Sequence, residues 1–241
     1  MLTSLVLASA LTLAADNKQL HSIAALAKID ATGKIQQLDW LKPEHVSPSM
    51  NAFLKPAVLA VEFEPAQKDG HPTYTELLLN VVIEAVERTD GRSDVRFVSV
   101  EKAGPRMVHS PMPRFPENML MRGISAYVML SVEIGADGRA IVGLIAPAGE
   151  TPPKEAATLK PFYRSARIAL RNAKFDYLEN VGGIKIGGQI NVPFVFCVDN
   201  CDAINAKVAQ LRAEQVWISR PSTDVKVASI KQIATPKAAG S

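Results

Sequence analysis

The amino-acid sequence predicts an α+β fold made of two small units in tandem. Each half of the chain carries, in the same order, a turn between two alternating apolar segments, an apolar helical stretch and a closing strand. Gly33 and Gly138 take equivalent places in the two turns, and Phe63 and Phe175 take equivalent places after the helical stretches. The 241 residues are enough for two domains with hydrophobic cores.

The first unit is predicted to begin with a β-hairpin and to continue with a helix. Residues 30–33 read Asp-Ala-Thr-Gly, which is typical of a hairpin turn. Ser47 is the predicted N-cap of the helix and Pro48 its first residue. The apolar residues that follow share one helix face: Met50, Phe53, Leu54, Ala57, Val58 and Val61. Pro56 predicts a kink or a break in this helix, and a strand from Tyr74 to Val86 closes the unit.

The second unit repeats this order with a turn at residues 136–138. Lys160 and Pro161 open its predicted helix. The apolar face of this helix has five members: Phe162, Ala166, Ala169, Leu170 and Ala173. A strand from Gln189 to Val198 closes the unit, and the boundary between the two units is placed near residue 105.

Four segments are therefore predicted along the chain. Residues 1–15 form a signal peptide, residues 16–104 the first unit with a linker, residues 105–201 the second unit, and residues 202–241 a short helix and a mobile basic tail. The short helix is capped by Asp202 and runs to about Glu214.

The net charge of the chain is too small to indicate nucleic acid as a partner. Lys and Arg exceed Asp and Glu by three, and six cations against three anions in residues 202–241 account for this whole surplus. The tail is interpreted as a solubilising segment. Attraction to an anionic surface is the alternative.

The first fifteen residues are uncharged and apolar, and Ala14 and Ala15 precede Asp16. This pattern is typical of a secretory signal peptide, although the usual basic start is missing. A membrane anchor would need about 20 apolar residues, which this run does not reach. The sequence thus predicts a periplasmic protein with a cleaved signal and no transmembrane helix in the mature chain.

Cys197 and Cys201 are the two cysteines of the chain. An oxidising compartment favours a disulfide between them, which would stabilise the fold by about 2 kcal/mol because the ring is small. Two free thiols, or a redox or metal role, are the alternatives.

The second unit resembles the C-terminal domain of the TonB family over about residues 110–198. The resemblance rests on Pro113-Arg-Phe115-Pro116, which is similar to the P-x-[YF]-P motif of the family, and on Gly123, Asp137-Gly138, the helix ending at Phe175 and the strand NVPFVF at 191–196. Residues 21–86 look like a shorter copy, in which Phe63-Glu64-Pro65-Ala66 matches F-x-P-A. The first copy lacks P-x-[YF]-P, and the second lacks the proline and alanine after its phenylalanine.

This resemblance implies two TonB-like units, each an antiparallel sheet of about three strands covered on one face by helices. It further implies non-catalytic recognition of an envelope or outer-membrane protein, by addition of a peptide segment to a sheet edge. The closing strand is the expected peptide-binding edge, with these positions: Gln189, Asn191, Pro193, Val195 and Cys197. Energy transduction is not expected, because the chain lacks the membrane helix and proline-rich spacer of the transducers.

A basic stripe recurs at helical spacing in the second unit: Arg164, Arg167, Arg171 and Lys174. It is interpreted as a solvated helix face, and contact with an acidic peptide or an anionic surface is the alternative. No metal-binding, nucleotide-binding or catalytic motif is recognised, so neither a metal, a cofactor nor an enzyme is expected. The alternative function is a structural envelope protein that self-associates, as in a homodimer, or contacts wall polymers.

Overall fold

Strands dominate the computed structural model, which describes residues 18–87, 93–109, 111–147, 153–199, 201–202 and 217–231. Strands make up 49% of the structure and helices 19%, and one sheet is a curled antiparallel half-barrel. The predicted fold class, two tandem α+β units, is therefore wrong. The predicted signal peptide at 1–15 and most of the predicted helix from Asp202 to Glu214 lie outside the described residues.

The described helices are α1 (Pro48–Leu59), α2 (Glu117–Leu120) and α3 (Pro153–Leu170), with a short 3-10 turn at Pro43–His45. The described strands are, in chain order, β1 (Lys18–Ile29), β2 (Ile35–Trp40), β3 (Phe63–Glu64), β4 (Ala66–Lys68), β5 (His71–Thr73), β6 (Thr75–Glu87), β7 (Ser93–Lys102), β8 (Arg106–His109), β9 (Ala126–Ile134), β10 (Ala140–Pro147), β11 (Lys174–Asp176), β12 (Asn180–Val181), β13 (Ile184–Lys185), β14 (Gly188–Phe196), β15 (Ile218–Ser219), β16 (Val225–Lys226) and β17 (Ser229–Ile230).

The larger sheet is organised around β6, which pairs with β1 along nearly its whole length. Strand β2 follows on the outer side of β1, while β7 and β12 share the other side of β6. The smaller sheet has the order β10-β9-β14-β15. Each sheet has its own cluster of buried apolar side chains, and α1 packs on the first cluster and α3 on the second.

Strands from the second half of the chain complete the larger sheet, and this is why tandem units are not formed. Asn180 and Val181 of β12 pair with Glu76 and Thr75 of β6. Val181 also lies in the hydrophobic cluster of the larger sheet. The sheet of the first half is thus built with backbone from the second half.

Residues 217–231, here called the strap, join the smaller sheet to the hydrophobic cluster of the larger sheet. Two of its strands form separate small sheets with strands of the first half of the chain. Strand β15 of the strap pairs with β14, whereas β16 pairs with β4 and β17 pairs with β3. Val225 and Ala228 are buried in the cluster of the larger sheet. These strands lie in a part of the chain for which the sequence predicts a mobile tail, and burial of the two apolar side chains accounts for the difference.

Both predicted hairpin turns are present, and the same contact recurs beside each of them. The Phe63 N–H donates to the Gly33 carbonyl at 2.8 Å, and the Phe175 N–H donates to the Gly138 carbonyl at 2.8 Å. The four residues therefore occupy equivalent positions in the two turns, as the sequence predicts, although the predicted fold class is wrong.

Helix α1 starts as predicted but differs from the prediction in two details. The Ser47 hydroxyl accepts a hydrogen bond from the Met50 N–H at 3.2 Å, so Ser47 is the N-cap. The helix continues through Pro56 without a break. Leu54 is fully buried, whereas Phe53 is 50% exposed, so the predicted apolar face is wrong at Phe53.

All five residues of the predicted apolar face are buried, but only four of them lie on α3, since Ala173 follows the end of the helix at Leu170. However, α3 begins at Pro153, so the prediction that Pro161 opens the helix is wrong. A proline at the first position costs little, because the N–H groups of the first turn have no partner within the helix. Pro161 lies in the interior and is accommodated there.

Candidate functional site: the edge of strand β14

Strand β14 is paired along its full length on one side and over only two residues on the other. Its register with β9 runs from Gly188 opposite Ile134 to Phe196 opposite Ala126. On the far side, only Gly188 and Gln189 pair with β15. Among the described residues, no strand pairs with 190–196 on that side. This stretch is an edge of the smaller sheet.

The hydrogen bonds at the two ends of β14 show which residues direct their main-chain groups to the edge. At the start, the Arg220 N–H donates to the Gly187 carbonyl at 2.9 Å, on the side of β15. After the end, the Val198 N–H donates to the Ser125 hydroxyl at 3.0 Å, on the side of β9. Along an antiparallel strand, successive residues direct their main-chain N–H and C=O groups to opposite sides. The main-chain groups of Pro193 and Val195 therefore point outward, to the same side as those of Gly187. Proline fits there, since its missing N–H removes no bond to β9.

The side chains of β14 alternate between the core and the opposite face of the sheet. The even-numbered residues from 190 to 196 are buried. Phe196 belongs to an aromatic group with Phe115 and Phe162, whose ring centroids lie 5.0 to 5.7 Å apart. Phe115 comes from the Pro-Arg-Phe-Pro segment and Phe162 from α3. The edge is thus held on a packed core, which favours a rigid binding surface.

The outer face of the sheet carries a polar network beside the start of the edge. The Arg220 guanidinium lies 3.1 Å from the Glu133 carboxylate and donates to the Gln189 side-chain carbonyl at 2.6 Å. The Gln189 amide in turn donates to the Ser131 hydroxyl. Gln189, which the sequence assigns to the peptide-binding edge, is therefore already engaged by the strap.

Tyr127 lies opposite Val195 at the far end of the edge. The pKa of Tyr127 is raised above its ordinary value of 10.0, first by burial of the phenol and then by Tyr163 nearby. The phenol therefore remains a neutral hydrogen-bonding group at physiological pH.

Cys197 follows β14 directly and lies at disulfide distance from Cys201. Their sulfur atoms are 2.07 Å apart and their Cα atoms 5.8 Å apart. This is the pairing that the sequence predicts. The bridge restrains the chain where it leaves the edge strand. No group of metal-binding side chains occurs in the described part of the chain.

The predicted basic stripe is divided between two elements. Arg164 and Arg167 lie on α3, Arg171 follows the end of that helix, and Lys174 is the first residue of β11. All four residues are exposed. The stripe and the β14 edge belong to the same half of the chain.

The sequence interpretation missed Trp217, which anchors the strap against the smaller sheet. A Cβ atom on Gly104 would lie 2.6 Å from the Trp217 Cβ, and one on Gly188 would lie 2.7 Å from the Trp217 ring. Two glycines thus make room for one large side chain. A lone tryptophan in a segment otherwise rich in small and polar residues was the signal that could have indicated this anchor.

Comparison of the chain with protein-family models, with curated proteins and with solved structures finds no match. Within the described ranges, no helix is long and apolar enough to span a membrane. The geometry of the β14 edge therefore provides the argument about function.

Proposed function

We propose that this protein is a non-catalytic binding module that takes up an extended segment of a partner protein along residues 192–196 of β14. The observation that carries the proposal is the row of outward-directed main-chain groups, which includes the Pro193 carbonyl and both main-chain groups of Val195. Unpaired groups on a sheet edge recognise an extended peptide by adding it as a strand. The pairing of β15 with Gly188 and Gln189 supports this, because the same edge already accepts a strand at its start.

The resemblance to the TonB C-terminal domain family supports an envelope or outer-membrane protein as the partner. It rests on short motifs, and two of them lie at this site: Phe115 packs beneath the edge, and NVPFVF forms most of β14. We propose binding or adaptor work in the periplasm without energy transduction.

Replacing Val195 by proline is expected to weaken peptide binding at least tenfold, because it removes an outward N–H and loses a hydrogen bond to the partner strand. The matched control is Val195→Thr, which changes the side chain and keeps the N–H. A displayed library of random decapeptides is selected against the full chain, and one enriched peptide is titrated against the three proteins by fluorescence anisotropy.

The wild type and Val195→Thr are expected to bind similarly, and both more tightly than Val195→Pro. Equal affinity of all three proteins, or failure to enrich any peptide, would remove the proposed site. Circular dichroism of Val195→Pro shows whether the sheet is retained.

Export to the periplasm is supported by the apolar run before Asp16 and by the cysteine pair at disulfide distance. Mass spectrometry of the protein from a periplasmic fraction is expected to show a mature chain that lacks about fifteen residues. An intact Met1 terminus, or recovery from the cytosol alone, would contradict the proposal.

A further inference from the structure

Five exposed cations lie on helix α3 or close to it. They are Lys160, Arg164 and Arg167 of α3, Arg171 after it, and Arg114 of the loop between β8 and α2, and all five are exposed. We call this set the cationic face. Within the described chain, none of the five forms an ion pair. Neither residues 157–175 nor residues 111–116 contain an Asp or Glu. A cluster of cations without ion pairs favours contact with an anionic partner.

Arg114 and α3 belong to one surface because the loop is fixed to the helix. The Ser165 hydroxyl donates to the Arg114 carbonyl, and the Phe115 ring contacts the Phe162 ring with centroids 5.7 Å apart. Residues four apart are neighbours on a helix, so Lys160, Arg164 and Ile168 follow one another along it. Arg114 and the cations of α3 thus belong to one surface.

Two exposed apolar side chains interrupt the cationic face. Met112 is 92% exposed beside Arg114, and Ile168 is 53% exposed one turn after Arg164. Large apolar side chains with this degree of exposure cost free energy in water. Cations mixed with single exposed apolar side chains are the combination with which peripheral proteins bind the surface of anionic membranes.

We propose that the cationic face docks on the surface of an anionic phospholipid membrane. A helix flank offers no sheet edge to pair with an extended peptide, in contrast to β14. A lipid surface needs no main-chain pairing: headgroup phosphates attract the arginines, and Met112 and Ile168 reach the boundary of the acyl chains. This docking is separate from the β14 edge and does not rest on the proposed peptide binding.

The probe is a set of phosphatidylcholine vesicles prepared with or without phosphatidylglycerol, and co-sedimentation of the full chain is measured. The wild type is expected to bind the anionic vesicles, to ignore the neutral ones, and to dissociate as salt is raised. Changing Arg164, Arg167 and Arg171 to Glu is expected to weaken binding by roughly a hundredfold or more, since each cation near the surface contributes roughly fivefold.

The matched control changes Lys34, Lys42 and Lys55 to Glu. These exposed residues belong to the first half of the chain, and the change alters the net charge by the same amount. The control is expected to retain most of the binding, and circular dichroism verifies that both variants are folded.

Equal losses in the two variants would mean that net charge alone governs binding and would overturn the assignment of this face. Binding of the wild type to poly-glutamate as tight as to anionic vesicles would assign the face to acidic polypeptides instead. No binding to anionic vesicles at low salt would also overturn the proposal.

Discussion

Replacing Lys102 by methionine is expected to lower the free energy of unfolding by about 3 to 5 kcal/mol. The Lys102 ammonium lies 2.6 Å from the Glu179 carboxylate, and the two side chains are 20% and 2% exposed. The other carboxylate oxygen of Glu179 is buried without a hydrogen-bond partner. Without Lys102, a buried charge loses its counter-ion, which costs far more than a surface pair. Urea denaturation followed by circular dichroism measures the loss.

Two further variants separate the loss of the Glu179 counter-ion from the general effect of removing a lysine. Lys28→Met breaks the exposed pair with Glu76, whose atoms are 3.4 Å apart, and is expected to cost at most about 1 kcal/mol. The double variant Lys102→Met with Glu179→Leu removes both charges and is expected to recover much of the lost stability. If Lys102→Met costs no more than Lys28→Met, the buried pair does not stabilise the fold as argued.

Replacing Gly33 by alanine is expected to cost about 3 kcal/mol. Gly33 has a φ of +87°, and a Cβ atom there would lie 2.0 Å from the Phe63 carbonyl oxygen. The cost combines a left-handed backbone, which disfavours alanine by about 1 to 2 kcal/mol, with a clash against backbone that cannot rotate away. Gly138→Ala is expected to behave alike, because its φ is +77° and the Phe175 carbonyl oxygen would lie 2.3 Å away.

Gly70→Ala is the matched control for both variants. Its φ is also +77°, but a Cβ atom would meet nothing within 4 Å. Only the backbone penalty of about 1 to 2 kcal/mol applies there. Melting temperatures should order the variants, at about 2 to 4 °C per kcal/mol for a chain of this size. If the melting temperature of Gly33→Ala falls as little as that of Gly70→Ala, the contact between Gly33 and Phe63 is not tight in solution.

The sequence predicts local features of this fold well because their causes are local. Ser47 caps α1 through a residue three positions away, and Gly33 forms its turn within four residues. The four core positions of α3, which are Phe162, Ala166, Ala169 and Leu170, follow from helical periodicity alone. Phe53 shows the limit of periodicity, since the neighbouring elements decide how wide the buried face of a helix is.

The fold class could not be predicted, because it depends on pairings between distant segments. The β12 strand has two residues, and nothing in Asn180-Val181 indicates that it pairs with β6, about a hundred positions earlier. Strands β15, β16 and β17 also have two residues each. Such short strands leave no alternating pattern, so their segments are interpreted as loop or tail.

The sequence indicates which residues of β14 direct their main-chain groups outward, but it does not indicate how much of the edge is already covered. The sequence interpretation names alternate residues from 189 to 197, and the hydrogen bonds at both ends of β14 give these odd-numbered positions the outward direction. It could not foresee that β15 covers Gln189, because this cover depends on Trp217 finding space beside Gly104 and Gly188.

The strap also has a consequence for the order in which the molecule is completed during synthesis. Ser229 bonds to Glu64 across 165 positions of sequence, and Lys231 bonds to Glu62 across 169. A ribosome releases the partners β3 and β4 long before the strap emerges, so a nascent chain holds both strands without their pairing to β16 and β17. Contacts this distant close slowly, and unpaired strands promote aggregation in the interval. Strands β3 and β4 therefore remain exposed to incorrect pairing until residues 217–231 have been synthesised.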